Sequence, residues 1–361
     1  MPPQVESESA IGVGPVEQIG SARQNRISEL PRPRFDHLRR LTTHLGIWEH
    51  ACLTTPRPEH GYCTDDNARA LIVICRQPET SPGLEGLAEI YLKFLKDAQL
   101  PGGEFHNRRR RDGAWVDKVG SDDSQGRALW AGGSVAHRGS TPFMRQAGLH
   151  LFARSSEFDS PFARANAYAV LGAAEMIQAS PESEPAWKIL ERCAGRIPVA
   201  PHDANSPWPE ERLTYDNARI PEALLAAAAC TGDDFLLDTG LHLLEWLVAT
   251  ETRGDYFSFT PVGGWAPGEQ RPGFDQQPVE AAAMADACSR AFSLTADERW
   301  KDLVERAVRW FVGDNDGAVV LYDAETGGCR DGLTPEGTNQ NQGAESTLAA
   351  LAALQQAQVL C

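Results

Sequence analysis

The sequence predicts an all-α protein, an (α/α)6 toroid in which six helical hairpins set an inner ring of six parallel helices inside an outer ring. Three observations carry that expectation. Apolar residues recur at helical spacing in twelve segments along the 361 residues. The segments alternate in character, the second of each pair being more apolar and richer in small residues than the first. Almost no run has the alternation or β-branched density of a multi-stranded sheet.

Residues 1–34 are rich in Pro, Gly, Ser, Gln and Glu, without a sustained apolar period, and are expected to form a flexible tail before a single barrel domain at 35–361. The pairs then run 35–44 with 64–77, 83–98 with 124–136, 141–155 with 160–179, 184–196 with 214–230, 233–250 with 277–293, and 296–312 with 340–356. Second members such as AYAVLGAAEM from Ala167, EALLAAAAC from Glu222 and STLAALAAL from Ser346 are small and apolar all round, and so belong inside other helices. First members such as YLKFLKDA from Tyr91 and ERWKDLVERAVRWFV from Glu298 carry charge on one face and belong outside. Links from inner to outer helix are short. Those from outer to inner are long, at 45–63, 99–123, 197–213, 251–276 and 313–339, which puts the long connectors on one end of the ring, the expected working face. The third, around 155–160, is short and would leave a notch in the rim.

Composition narrows the function. Thirty-four Lys and Arg against 50 Asp and Glu give a net charge of −16, which repels nucleic acid, and the short basic run Arg108–Arg111 reads as a solvated loop. No apolar stretch reaches the ~20 residues of a membrane span, and no signal-peptide pattern opens the chain. A cytoplasmic protein is expected. Its eight cysteines are scattered without zinc-ligand spacing, as buried thiols in a reducing compartment would be. Neither metal nor cofactor is expected. A DDxxD magnesium motif is absent, because Arg69 and Ala70 stand four residues after Asp65 and Asp66, and no Gly-rich phosphate loop occurs.

Each inner segment opens on a polar cluster: TDDNARA from Thr64, SDDSQGRALWA from Ser121, ARANAYA from Ala163, TYDNARIPEA from Thr214, FDQQPVEAA from Phe274 and NQNQGAES from Asn339. DNAR occurs twice, at 66–69 and 216–219, in hairpins that face each other across a six-fold ring. One acid or hydroxyl per cluster is explained by helix capping. Asp65 with Asp66 and Asp122 with Asp123 supply two carboxylates where one cap suffices. Six such clusters on one end form a bowl whose acceptors and donors suit a hydroxyl-rich ligand: Asn67, Arg69, Asp122, Gln125, Arg127, Asn217, Arg219, Asp275, Gln276, Gln277, Asn341 and Gln342. Tyr62, Trp130, Trp208, Tyr215 and Trp265, in or beside the same connectors, could stack on sugar rings. The candidate catalytic carboxylates are Asp65, Asp66, Asp123, Asp216, Glu280 and Glu345. Glu280 and Glu345 lie one turn into apolar helices, where burial raises a carboxyl pKa toward that of a general acid unless a motif arginine pairs with it. Glycoside hydrolysis needs two carboxylates about 5–5.5 Å apart for retention or 6.5–9.5 Å for inversion. Neighbouring hairpins meet that need better than opposite ones, so Asp66 with Asp123 and Asp66 with Glu345 are the foremost pairs.

GYCTDDNARAL from Gly61, GSDDSQGRALWA from Gly120, RLTYDNARIPEALL from Arg212, FDQQPVEAAAM from Phe274, LYDAETGGCRDGL from Leu321 and NQNQGAESTLAAL from Asn339 resemble a bacterial family of (α/α)6-toroid proteins. Its members are labelled glycosyltransferase-like or six-hairpin glycosidase-like, and accompany mannoside phosphorylases or are fused to sugar transferases. The resemblance runs from about Phe35 to the C-terminus. It implies the toroid and a sugar ligand, and brings no catalytic pair with it. The reading that follows is an inverting glycoside hydrolase acting on a mannoside or glucoside oligosaccharide. A sugar epimerase or isomerase, which would call on a histidine base such as His50, His60, His106 or His202, and a non-catalytic glycan-binding scaffold are the alternatives. Monomer and homodimer both stay open.

Overall fold

A computed structural model describes residues 30–78, 82–199 and 206–360 of the chain. The expected tail from 1 to 29, the link at 79–81, the stretch 200–205 with His202, and Cys361 lie outside the described residues. Residues 30–34 are held to the body. The Arg34 amide donates to the Tyr322 hydroxyl at 3.1 Å, and that hydroxyl donates to the Arg32 carbonyl at 3.1 Å.

Twelve α-helices occur among the described residues, in the expected order. The outer ones are α1 (Asp36–Leu41), α3 (Pro82–Ala98), α5 (Pro142–Arg154), α7 (Glu184–Ala194), α9 (Asp234–Glu251) and α11 (Arg299–Phe311). The inner ones are α2 (Thr64–Cys75), α4 (Asp122–Arg138), α6 (Ala163–Ala179), α8 (Arg219–Thr231), α10 (Pro278–Thr295) and α12 (Ala344–Val359). Each inner helix packs against the next, and α12 packs against α2, so the ring closes. The fold is an (α/α)6 toroid, and the strands among the described residues form only two-stranded ribbons in the connectors.

The packing pairs each inner helix with the outer helix that follows it, across the short link, and sets α1 against α12. The sequence, read from its N-terminus, suggests the other grouping because the long connectors look like hairpin loops. Outer helices are amphipathic as expected. On α11, Trp300, Val304, Val308 and Phe311 are buried while Arg299 and Lys301 face outward. Inner helices are close-packed through small residues. A Cβ on Gly133 of α4 would lie 2.0 Å from the Gly172 carbonyl oxygen of α6, so only glycine fits where these two backbones meet.

Several helix boundaries differ from the sequence reading by a few residues, and two of them have a clear local reason. Helix α1 stops at Leu41 because Thr42–Thr43 pairs with Gly46–Ile47 in a ribbon. Gly46 there has φ +134°, and a Cβ would lie 2.7 Å from Asn67 Oδ1. Helix α8 begins at Arg219 rather than 214. Asp216 is left-handed at φ 50°, and its amide is taken by the Glu280 carboxylate rather than by a helical turn. The two DNAR copies therefore adopt different conformations: the first is helical within α2, the second is a turn leading into α8. No helix among the described residues is long and apolar enough to cross a membrane.

Candidate active site

The N-terminal parts of α2, α4, α10 and α12, with the connectors beside them, line a cavity of about 380 Å³. Its walls include Asp65, Asp66 and Arg69 of α2, Arg127 of α4 and Glu345 of α12, with Gln277 just before α10. Below it, along the ring axis, a smaller space of about 40 Å³ is lined by Trp130, Val73, Leu348 and Ala352 and shares Arg69, Arg127 and Glu345 with the upper cavity. The mouth is therefore polar and the axis below it mostly apolar.

Three arginines organise the carboxylates. Arg69 NH1 donates to Asp66 Oδ1 at 3.0 Å, and its other amino group lies 2.7 Å from Glu345 Oε2, so one guanidinium spans α2 and α12. Arg127 reaches Asp65 at 2.9 Å, Asp216 at 3.3 Å and Asp123 at 3.7 Å, and donates to the Tyr168 hydroxyl at 2.6 Å. The facing DNAR motifs are thus joined through an arginine of the second hairpin. Tyr168 in turn donates to Asp216 Oδ2 at 2.6 Å. Arg219 lies deeper, between Asp216 at 3.3 Å, Glu222 at 2.6 Å and Asp286 at 2.6 Å, with its guanidinium 4.8 Å from the Trp130 ring.

These placements separate the two members of the Asp65–Asp66 pair. Burial pushes Asp66 up to about 7; Arg69 pulls against that shift, while Glu345 and Glu49 add to it. Burial also acts on Asp65, yet Arg127 and Arg69 outweigh it and hold that carboxyl below the usual range. Asp216 is likewise kept low against its burial by Arg219 and Arg127. One carboxyl that keeps its proton near neutrality beside another that has lost it is the arrangement that acid and base roles require.

Other candidates sit elsewhere. Glu280, expected on the axial cavity, turns to the fourth connector, where it accepts from the Asp216 amide at 2.5 Å and the Asn217 amide at 3.2 Å. Burial, with Glu251 and Asp216 nearby, raises it to about 8. Asp123 accepts from the Tyr215 hydroxyl at 2.7 Å. Asp122 accepts from Ser160 at 2.6 Å and lines a second cavity, of about 300 Å³, beside the short third connector. Gln125, on that same cavity, is tied at both ends to the Phe105 backbone. Asn67 bonds the Ile47 amide and the Cys63 carbonyl, Asn217 the Thr214 amide, and Gln276 the Phe259 amide and the Trp310 indole, so these amides brace connectors. Asn341 takes the Leu53 amide, and the Gln342 main-chain carbonyl accepts from His37 Nε2 at 2.9 Å. Asp275 is exposed, its carbonyl taking the Val262 amide.

Of the aromatic residues, Tyr62 is buried against Trp48 with ring centroids 4.0 Å apart, and Trp208 is buried against Trp246. Both serve the core. Trp265 is half-buried and pairs its backbone with Leu213. Trp130 stands on the axis, and Tyr215 remains 41% exposed on the rim.

Several cavity residues lie outside the repeated polar clusters, and of these only His50 is a site candidate from the sequence, as a base. Glu49 and His50 arrive on the first connector, Asp331 on the sixth, and Arg108 on the strand that pairs with Tyr62–Cys63. Arg108 bonds Glu49 while remaining exposed; it is Arg109, packed over the rings of Phe94 and Trp115, that corrects the reading of Arg108–Arg111 as a solvated loop. Glu49, Cys63 and Asp66 offer ligand atoms within 4.8 Å of one another and are the residues that could hold a metal ion among those described. Arg108 and Arg69 already occupy its two carboxylates. Arg164, buried on α6, pairs with Glu210 at 2.8 Å and Asn217 at 2.9 Å. The signal for Glu49 is weak in sequence, since it stands outside every repeated cluster; Arg164 and Tyr168 were within one, in ARANAYA.

No protein-family profile matches the chain, and no curated protein matches it. Solved structures do. The fold is similar to cellobiose 2-epimerase from Spirochaeta thermophila DSM 6192, at 14% identity and a TM-score of 0.67 over 96% of this chain and 98% of that one. It is similar to a D-mannose isomerase at 11% identity and a TM-score of 0.69, over 96% and 98%. It is similar to the GH76A α-1,6-mannanase of Salegentibacter sp. HEL1_6 at 12% identity and a TM-score of 0.61, over 95% and 99%. At these identities the likeness is one of fold, and what the chain shares with all three is the (α/α)6 toroid.

Proposed function

We propose that the protein is a carbohydrate-active enzyme, a glycoside hydrolase acting on a neutral gluco- or manno-oligosaccharide, with its site on one toroid domain at 35–361. The observation that carries this reading is Asp66, a buried carboxyl on the cavity wall raised to about 7, with Asp65 beside it and Glu345 across Arg69. In this reading Asp66 gives its proton to the glycosidic oxygen as the bond to the anomeric carbon breaks. Glu345 takes a proton from the water whose oxygen bonds to that carbon. The guanidinium between the two carboxylates holds them apart, which favours inversion, since a water must fit between base and sugar. Asp66 with Asp123 is the weaker pair, because Asp123 is engaged by Tyr215. A mannanase of the same fold is described as inactive when two consecutive aspartates are changed to asparagine, and it was solved in complex with α-1,6-mannotriose. Asp65–Asp66 is a consecutive pair at this chain's cavity. The test is turnover on a panel of gluco- and manno-oligosaccharides by the Asp66→Asn and Glu345→Gln proteins, both folded by circular dichroism; full activity in both removes the assignment. NMR of fresh product gives the anomer.

A C2 epimerase or isomerase is the second reading. It is favoured by His50, which lines the cavity with its Nε2 3.7 Å from Glu49 and its ring 4.9 Å from that of His60. An imidazole and a carboxylate so placed could exchange the proton at a sugar C2. Incorporation of solvent deuterium at C2 without bond cleavage distinguishes it from hydrolysis.

A further inference from the structure

The shape of the cavity bears on which part of an oligosaccharide it accepts. Its walls come from the first, second and sixth connectors, through Glu49 and His50, Arg108, and Asp331 and Asn339, together with Gln277 at the end of the fifth. Its floor is closed. Below it the axis narrows to about 40 Å³ and is crossed by side chains that already have partners, Arg76 with Asp286 at 2.9 Å and Arg219 with Asp286 at 2.6 Å. A volume of about 380 Å³ lies at the small end of ligand pockets, and the axial space that adjoins it is about a tenth as large, too narrow for a sugar ring.

No residue of α6 or α8 lines this cavity. In their sector the rim carries Tyr215, whose ring is exposed on one side and fixed on the other. Its hydroxyl donates to Asp123 at 2.7 Å, and the Arg164 guanidinium sits 4.9 Å from its centroid. Asp123 leads to Arg127 and so to Asp65 on the cavity wall. On the other side of Asp123, Asp122 borders the 300 Å³ cavity beside the short third connector. An exposed aromatic ring is thus tied through Asp123 to Arg127 on the wall of one cavity, and Asp122, the residue before Asp123, lines the other.

We infer that the site is exo-acting: the blind cavity encloses the non-reducing end of the sugar chain, and the remainder leaves over Tyr215 toward the gap at the third connector. This rests on the glycosidase reading above. The polarity follows from the chemistry. A sugar enclosed up to its anomeric carbon presents that carbon, and the bond to be cut, toward the exit only if it enters with its non-reducing end first. Held by two contacts, the Tyr215 ring meets the next sugar with little loss of side-chain freedom.

The test uses the full chain and manno- and cello-tetraose labelled at the reducing end. The expected first product is a labelled trisaccharide, with shorter labelled species appearing only afterwards. Labelled mono-, di- and trisaccharide together from the earliest time point overturn the inference. Tyr215→Ala is expected to raise KM for the tetraose and for the disaccharide roughly tenfold and to leave KM for the methyl glycoside of the single sugar, which has no second sugar, within about twofold; equal effects on the tetraose and the methyl glycoside overturn the exit path. Binding of the same tetraoses to the Asp66→Asn protein, measured by calorimetry, separates this inference from the hydrolase reading. A tetraose capped on its non-reducing terminal sugar is expected to lose binding, and retained binding overturns the enclosed end even where no bond is ever cut. If neither parent tetraose is cleaved yet the capped one is excluded, the hydrolase reading fails and the enclosed end stands.

Discussion

Arg69 NH2 lies 2.7 Å from Glu345 Oε2, so a side chain of the first inner helix grips one from the last. The contact closes the ring at its polar end and sets two carboxylates, Asp66 and Glu345, on the two arms of one guanidinium. Most of the expected behaviour of the site follows from that arrangement and from the burial of Asp66.

Replacing Asp66 by Asn is expected to lower turnover by about 10²–10⁴-fold, the usual worth of a positioned acid. Glu345→Gln should match it if the two act as one machine, and the double variant should be little worse than either single one. Losses that multiply would show the two carboxylates acting independently.

The pH dependence has a definite sign. Asp66 must hold its proton to act as an acid, so activity should fall as pH rises through about 7. Glu49 is one of the charges that push Asp66 up. Glu49→Gln should therefore move the alkaline limb to lower pH, and a limb that stays in place, or moves the other way, refutes the assignment. Stability follows the same group. Its folded pKa lies above the ordinary 3.8, so the folded state holds the proton more tightly, and stability is lost as pH rises from about 4 through about 7. Asp66→Asn should flatten that part of the stability curve in urea titrations.

Arg127→Met leaves Asp65 and Asp216 without their shared cation inside the mouth. Asp216 keeps Arg219 at 3.3 Å, so the charge that loses its ion-pair partner is that of Asp65; breaking a buried pair costs about 3–5 kcal/mol, which should appear as a lower denaturation midpoint at neutral pH. The deficit should shrink in acid, where Asp65 takes a proton; a deficit independent of pH would point to lost packing against Tyr168 instead.

Gly133→Ala is expected to destabilise the fold by at least about 1–3 kcal/mol, because the new methyl would meet the Gly172 carbonyl of the neighbouring helix. Gly254→Ala makes the contrast: nothing lies within 4 Å of the added carbon, and the cost there should come from the φ of 63° alone. Thermal melts of the two proteins check this pair.

The toroid was legible because its cause is local. A helix such as STLAALAAL is small and almost wholly apolar on every side, and only other helices can surround it. The mouth was legible in part, through the doubled acids that exceed what a cap needs. What escaped was pairing. Nothing near Glu280 says that it will take the amides of Asp216 and Asn217, sixty-odd positions earlier in the chain, and so hold the second DNAR in a turn while the first is helical. Glu49 is hidden for the same reason. Its backbone bonds to Gly61 and Ala344 carry it to the rim, and no periodicity marks it. Asp286 carried a fair signal, a lone acid inside an alanine run, but its partners Arg76 and Arg219 lie on two other helices.

The parallel inner ring has an electrostatic consequence of its own. Six helices begin at the mouth, and each N-terminus contributes a fixed partial charge of roughly +0.5, about three positive charges in sum. The acids of the bowl therefore rest on a collar of backbone dipoles that offsets much of their mutual repulsion. The far end of the ring carries the opposite sign, and it is there that Arg138 stands in the last turn of α4. The barrel is in effect a polarised tube, with backbone dipoles of one sign beneath its acids and of the other beneath its far end.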